Sequence, residues 1–70
     1  MVSDVEIRLN GKVRDVADGI TVRRLLDDLG LHPFRVAVQL NDEIIKRDRY
    51  AEVSLKSGDM VEVLSIMAGG

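Results

Sequence analysis

Cysteine is absent from this 70-residue chain, and so is tryptophan. Without thiols there is no disulfide framework, no thiolate metal site and no cysteine nucleophile, and the fold must rest on its apolar core. The only aromatic side chains besides His32 are Phe34 and Tyr50. A nucleic-acid binder is expected to show a basic stripe interleaved with stacking aromatics. Here lysines and arginines sit beside aspartates and glutamates, and the formal net charge is -2. Nucleic acid is therefore not an expected partner. No apolar run approaches the length that crosses a bilayer, and Met1-Val2-Ser3-Asp4 lack the basic start and apolar stretch of a signal peptide. The expectation is a soluble cytoplasmic protein with no membrane partner. With one histidine and no glycine-rich phosphate loop, a Cys/His pair, a zinc site or a P-loop cannot be built, and no bound cofactor or metal is expected. Asp27-Asp28 and Asp42-Glu43 are carboxylate pairs, but on a helix face and in a turn, where solvated charge is the ordinary finding. His32, between Leu31 and Pro33, reads as a loop residue.

What is present is a chain of clear local signals. Val5, Ile7 and Leu9 alternate with Glu6 and Arg8 as in a half-buried strand. Asn10-Gly11 then predicts a type I′ hairpin turn, whose two central residues need positive φ, with a return strand from Lys12 to Val16. A two-residue loop sets Leu9 opposite Lys12 and Ile7 opposite Arg14, turning Val13 away from Ile7. Either a bulge corrects this or Arg14 lays its stem along the sheet. Thr21 is a good N-cap for a helix whose Val22, Leu25, Leu26 and Leu29 share one face, with Ile20 and Leu25 at staple positions and Gly30 at C′. Arg23 and Arg24 in its first turn and Asp27 and Asp28 in its last oppose the helix dipole, which predicts local pairing of Arg23 with Asp27 and Arg24 with Asp28. Val36, Val38 and Leu40 form a further strand, Asn41-Asp42 a turn, and Glu43-Ile44-Ile45 a short return. Residues 46–54 are irregular, with one helical turn near Asp48. After a turn at Lys56-Ser57-Gly58-Asp59, Met60 to Ser65 is a final strand with Val61 and Val63 on one face and Met60, Glu62 and Leu64 on the other. One amphipathic helix and about five strands predict an α+β domain over residues 1–65, the helix covering one face of a mixed sheet. Parallel pairing of the first and last strands gives the ubiquitin-like β-grasp arrangement.

Residues 66–70, Ile66-Met67-Ala68-Gly69-Gly70, follow as a tail with no reason to fold on its own. At an average glycine usage of about 7%, a chance terminal pair arises in roughly 0.5% of chains, so the ending asks for a reason. Glycine has no Cβ, so an extended glycine end can be threaded into another protein's narrow active site.

Taken in order, Leu9-Asn10-Gly11-Lys12, Thr21-Val22 leading into Leu25-Leu26, Val36-Ala37-Val38 followed by Asn41, Arg47 with Tyr50, Leu55 with Gly58-Asp59, and Val61-Glu62-Val63 ending in Ala68-Gly69-Gly70 resemble the ThiS family of sulfur carriers in thiamin biosynthesis. The resemblance runs from Val5 to Gly70. It implies a carrier and not a catalyst: a ThiF-like activating enzyme uses ATP and magnesium to adenylate the Gly70 carboxylate. A persulfide-derived sulfur then displaces AMP, and the resulting thiocarboxylate serves a ThiG-like thiazole synthase. Under this resemblance Gly69, Ala68 and Met67 form the threading tail, and Leu64, Ile66 and Met60 the apolar contact for these partners, although Met60 and Leu64 can also be read as scattered surface residues. The sequence departs from many relatives in lacking a proline before Arg47. The related molybdopterin-synthase small subunit usually has prolines before its glycine pair, and Ser65-Ile66-Met67 has none, which favours the thiamin pathway. The same tail chemistry could serve molybdopterin, cysteine or methionine, and a plain ubiquitin-like interaction module is the reading from a different class.

Overall fold

The structure, a computed structural model, describes residues 4–66. Five strands, β1 (Asp4–Leu9), β2 (Lys12–Ala17), β3 (Val36–Leu40), β4 (Glu43–Ile45) and β5 (Met60–Ser65), form one mixed sheet in the order β2-β1-β5-β3-β4. β1 and β5 run parallel, with Arg8 beside Met60 and Leu9 beside Val61, while the other neighbours are antiparallel. The expected β-grasp is thus the observed fold, and the last strand lies at the centre of the sheet.

The β1–β2 hairpin is regular, from Leu9 opposite Lys12 to Asp4 opposite Ala17, so no bulge intervenes. Asn10 and Gly11 take φ of 51° and 82°, as a type I′ turn requires. Arg14 shares the face of Ile7 but stays exposed on the edge strand, and Val13 is exposed on the opposite face. Val16, paired with Val5, is the β2 residue that reaches the core.

Helix α1 (Val22–Leu29) starts where Thr21 Oγ1 accepts a hydrogen bond from the Arg24 amide at 3.1 Å. It ends in a Schellman arrangement, with Gly30 at φ 73°, its amide donating to Asp27 O and the Leu31 amide donating to Leu26 O. Arg23–Asp27 (3.6 Å) and Arg24–Asp28 (3.2 Å) pair as expected, and because all four side chains are exposed each pair contributes only a few tenths of a kcal/mol. Replacing Thr21 with Ala is expected to cost about 1 kcal/mol, read from the urea unfolding midpoint, because the Arg24 amide loses its acceptor.

Val22, Leu25 and Leu26 of α1 pack with Ile7, Val16, Ile20, Val36, Val38, Tyr50, Leu55, Val61 and Val63 in a single core. Burying each Leu or Val contributes roughly 1.5–3 kcal/mol, which a domain this small needs in the absence of staples. The segment between β4 and β5 is anchored to α1 by backbone bonds from Val22 N to Val53 O and from Arg23 N to Tyr50 O. A 3-10 turn at Arg47–Arg49 occupies the place where one helical turn is expected. A second 3-10 turn, Pro33–Arg35, was not expected. His32 is its N-cap, Nδ1 accepting from the Phe34 amide at 3.2 Å, so this imidazole fixes the exit from α1.

Candidate functional site

The alternation of β5 separates two kinds of surface. Val61 and Val63 are buried under α1, whereas Met60 and Leu64 are each 55% exposed on the opposite face of the sheet, which no element among the described residues covers. Ile66, 50% exposed, follows directly, and its amide donates to Arg35 O at 3.0 Å, so the chain is still held to β3's entry as it leaves the sheet. Leu64 lies opposite Ala37, whose methyl group leaves the neighbouring surface low. Leu64 and Ile66 therefore form an apolar platform at the point where residues 67–70 begin. Met67, Ala68, Gly69 and Gly70 lie outside the described residues.

Met60 stands apart from this platform. Four residues along a strand is about 13 Å, and Glu62 projects between Met60 and Leu64. The register instead brings another apolar side chain to the same face. Gln39 pairs with Glu62 on one side and Ile44 on the other, so Ile44, 74% exposed, stands on the uncovered face two strands from Glu62. In the sequence Ile44 reads only as part of a short return strand. Its alternation with the half-buried Ile45 was the available signal, but the face it adopts depends on pairing across β3.

β5 is gripped from both sides by the asparagines of the two hairpin turns. Asn10 Oδ1 accepts from the Val63 amide at 2.8 Å and Nδ2 donates to Val63 O at 3.3 Å, so one side chain takes the place that a peptide group would hold after β1 turns away. On the other side Asn41 Oδ1 accepts from the Met60 amide at 2.9 Å, and the Asn41 amide donates to Met60 O at 2.8 Å. Both residues sit at positive φ, 51° and 50°. Asparagine thus meets two demands at once, a left-handed backbone and a side-chain amide that mimics the ladder. The strand that delivers the tail is fixed at Met60 and again at Val63, next to the Leu64 platform.

This α1-over-sheet architecture has known counterparts. The ThiS family matches residues 7–70. The chain belongs to the ThiS family. Among curated relatives of this ThiS-family chain, the sulfur carrier protein ThiS of Thermus thermophilus is 37% identical over 62 residues, covering 89% of this chain and 95% of that protein. A thiazole synthase of Paramagnetospirillum magneticum is 35% identical over 66 residues, which is 94% of this chain and 20% of the synthase. The chain thus spans about a fifth of the length of that relative. The crystal structure of a thiamine biosynthesis protein (ThiS) from Geobacter metallireducens superposes with a TM-score of 0.82 at 35% identity, covering 94% of this chain and all of that one.

Not every stretch that carries the resemblance falls at the platform. Arg47 donates from Nε to Pro33 O at 3.0 Å, with its guanidinium 4.7 Å from the Phe34 ring centroid, and Tyr50 is buried in the core. Arg47 thus fastens the segment after β4 to the Pro33–Arg35 turn. A groove of about 610 Å³ between these turns and α1, lined by Arg23, Phe34, Arg47 and Tyr50 among others, includes neither Leu64 nor Ile66. Asp27 and Asp28 are committed to the α1 ion pairs, and Asp42 sits in the β3–β4 turn at φ 69°.

Proposed function

We propose that this chain is the sulfur carrier of a thiamin pathway, with the Gly70 carboxylate as its working group. A carboxylate is a poor electrophile. A ThiF-like activating enzyme, using ATP and magnesium, makes it a good one: a carboxylate oxygen attacks the α-phosphorus of ATP, pyrophosphate leaves, and an acyl-adenylate results. The outer sulfur of a persulfide then attacks the Gly70 carbonyl carbon and AMP departs. A thiol cleaves the S–S bond of the resulting acyl disulfide, leaving the sulfur on Gly70 and forming a disulfide with the former persulfide carrier. The thiocarboxylate so formed is a softer nucleophile than the carboxylate and hands its sulfur to a ThiG-like thiazole synthase. The carrier cannot hold transferable sulfur as a side-chain persulfide, since it has no cysteine.

The observation that carries this reading is the family match through residue 70, where the Gly69-Gly70 pair stands. The relatives named thiazole synthase add support for that partner, because a region similar to this chain forms part of the synthase polypeptide itself. Leu64 and Ile66 supply the docking contact, and Gly69, Ala68 and Met67 the slender approach.

The test is intact mass after incubation with the host's activating enzyme, ATP, magnesium and a sulfur source. Replacement of one oxygen by sulfur is expected. Failure to form either adenylate or thiocarboxylate with an enzyme competent on a known ThiS carrier would sink the proposal and favour a plain interaction module. The docking assignment has its own test. Leu64→Asp is expected to raise the KM for adenylation roughly tenfold, the effect of losing a contact worth more than 1 kcal/mol, with the unfolding midpoint little changed. Met60→Asp, about 13 Å farther along the strand, is expected to weaken adenylation less. Equal effects would extend the platform along all of β5.

A further inference from the structure

We propose that Asn10-Gly11 is a latent deamidation site, kept unreactive in the folded protein by the two hydrogen bonds that tie the Asn10 side chain to Val63. The chemistry needs no co-reactant but water. The Gly11 amide nitrogen, having lost its proton to solvent base, attacks Asn10 Cγ. A new N–Cγ bond forms, the Cγ–Nδ2 bond breaks, and ammonia leaves with the proton returned by solvent. Water then opens the succinimide ring. Cleavage at Cγ gives aspartate, and cleavage at the main-chain carbonyl gives isoaspartate, in which the backbone runs through Cβ and Cγ.

The local sequence suits this reaction. Gly11 has no Cβ to hinder its nitrogen, and the space where a Cβ would stand is empty to 4 Å. Asn10 is itself exposed, so the fold does not protect it by excluding water. The protection lies in the clamp. Oδ1 holds the Val63 amide at 2.8 Å and Nδ2 donates to Val63 O at 3.3 Å, and Cγ cannot swing onto the Gly11 nitrogen until both bonds break. The other turn asparagine, Asn41, is followed by Asp42, whose side chain crowds the attacking nitrogen, and serves as the internal control.

Reaction at Asn10 weakens the clamp that restrains it. Both products lose the Nδ2 donor to Val63 O: aspartate sets a carboxylate oxygen in its place, and in isoaspartate Cγ joins the main chain and lengthens a two-residue turn. The damage falls on the central strand, one residue before Leu64.

The experiment incubates the full chain at mildly alkaline pH across a series of guanidinium chloride concentrations. Peptide mapping follows exchange of NH for O and isoaspartate at residue 10, and hydrogen exchange follows the Val63 amide, which donates directly to Asn10 Oδ1. The native protein is expected to react at least about tenfold more slowly than the denatured chain, the factor that two hydrogen bonds of ordinary strength supply. Deamidation and Val63 exchange should rise together, with Asn41 lagging in the denatured chain. Equal rates in native and denatured protein would overturn the proposal. So would deamidation that accelerates while the Val63 amide stays protected, because the clamp would then not be the gate.

Discussion

Removal of Gly69 and Gly70 is expected to abolish sulfur loading while leaving the domain as stable as before. The described core runs from Ile7 to Val63, and the last described backbone tie to the sheet is that of Ile66 to Arg35, so the truncation removes no member of either. Surface truncations away from such features change stability by about 0.5 kcal/mol or less, and the urea midpoint should therefore hold. Loading depends on different physics. The electrophile is a carbonyl carbon that must reach ATP in the activating enzyme, and cutting the tail by two residues withdraws it by up to about 7 Å while placing Ala68 at its end. A shift of 1 Å from reactive geometry already costs on the order of a hundredfold in rate, so no adenylate should form. The measurement is intact mass after incubation with activating enzyme, ATP, magnesium and sulfur source, beside the urea midpoint. Loading of the truncated chain would show that the reacting carboxylate is not that of Gly70. Loss of both loading and stability would show that the glycines belong to the fold.

Why the tail's attachment was only partly legible in the sequence follows from the range of each signal. The two hairpins, α1 and the alternation of β5 are written in residues adjacent in the chain: Asn10-Gly11, Thr21 with Gly30, Val61 with Val63. Each states its own backbone conformation or face, and the structure agrees with all of them. The Leu64–Ile66 platform was legible for the same reason, since strand parity alone sets Leu64 opposite the buried valines. Grouping Met60 with it was less informative, because parity gives the face but not the separation along the strand, and Glu62 intervenes. Ile44 depended on pairing through Gln39, a contact no local window contains. The Pro33–Arg35 turn was hidden because Pro33 reads equally as a stop for the helix before it and as the first residue of a new turn. The clamps were least visible of all. Asn10 already had a sufficient local explanation in the type I′ turn, and its second role joins residues 53 apart in sequence.

That second role makes Asn10→Ala a severe change for an exposed residue, with an expected loss of about 3 kcal/mol. Two hydrogen bonds to Val63 disappear, and each contributes about 1 kcal/mol net, with a larger cost wherever water cannot replace the lost partner. Alanine must also hold a φ near 51°, a left-handed conformation that costs an L-residue with a Cβ roughly 1 kcal/mol and that asparagine tolerates better. Against a total stability of about 4–10 kcal/mol for a chain of this length, the loss is roughly 30% or more. Two companion variants separate the contributions. Asn10→Gly removes both bonds but adopts positive φ freely, so it should cost about 2 kcal/mol. Asn10→Asp keeps the turn and the acceptor for the Val63 amide but sets a carboxylate against Val63 O, and should fall between the wild type and Asn10→Ala at neutral pH. The check is urea unfolding of all three, with hydrogen exchange at Val63 as the local probe. If Asn10→Gly proves as stable as the wild type, the clamp contributes nothing and asparagine is present only for its turn. If Gly and Ala variants lose the same amount, the hydrogen bonds carry the whole effect and backbone strain carries none.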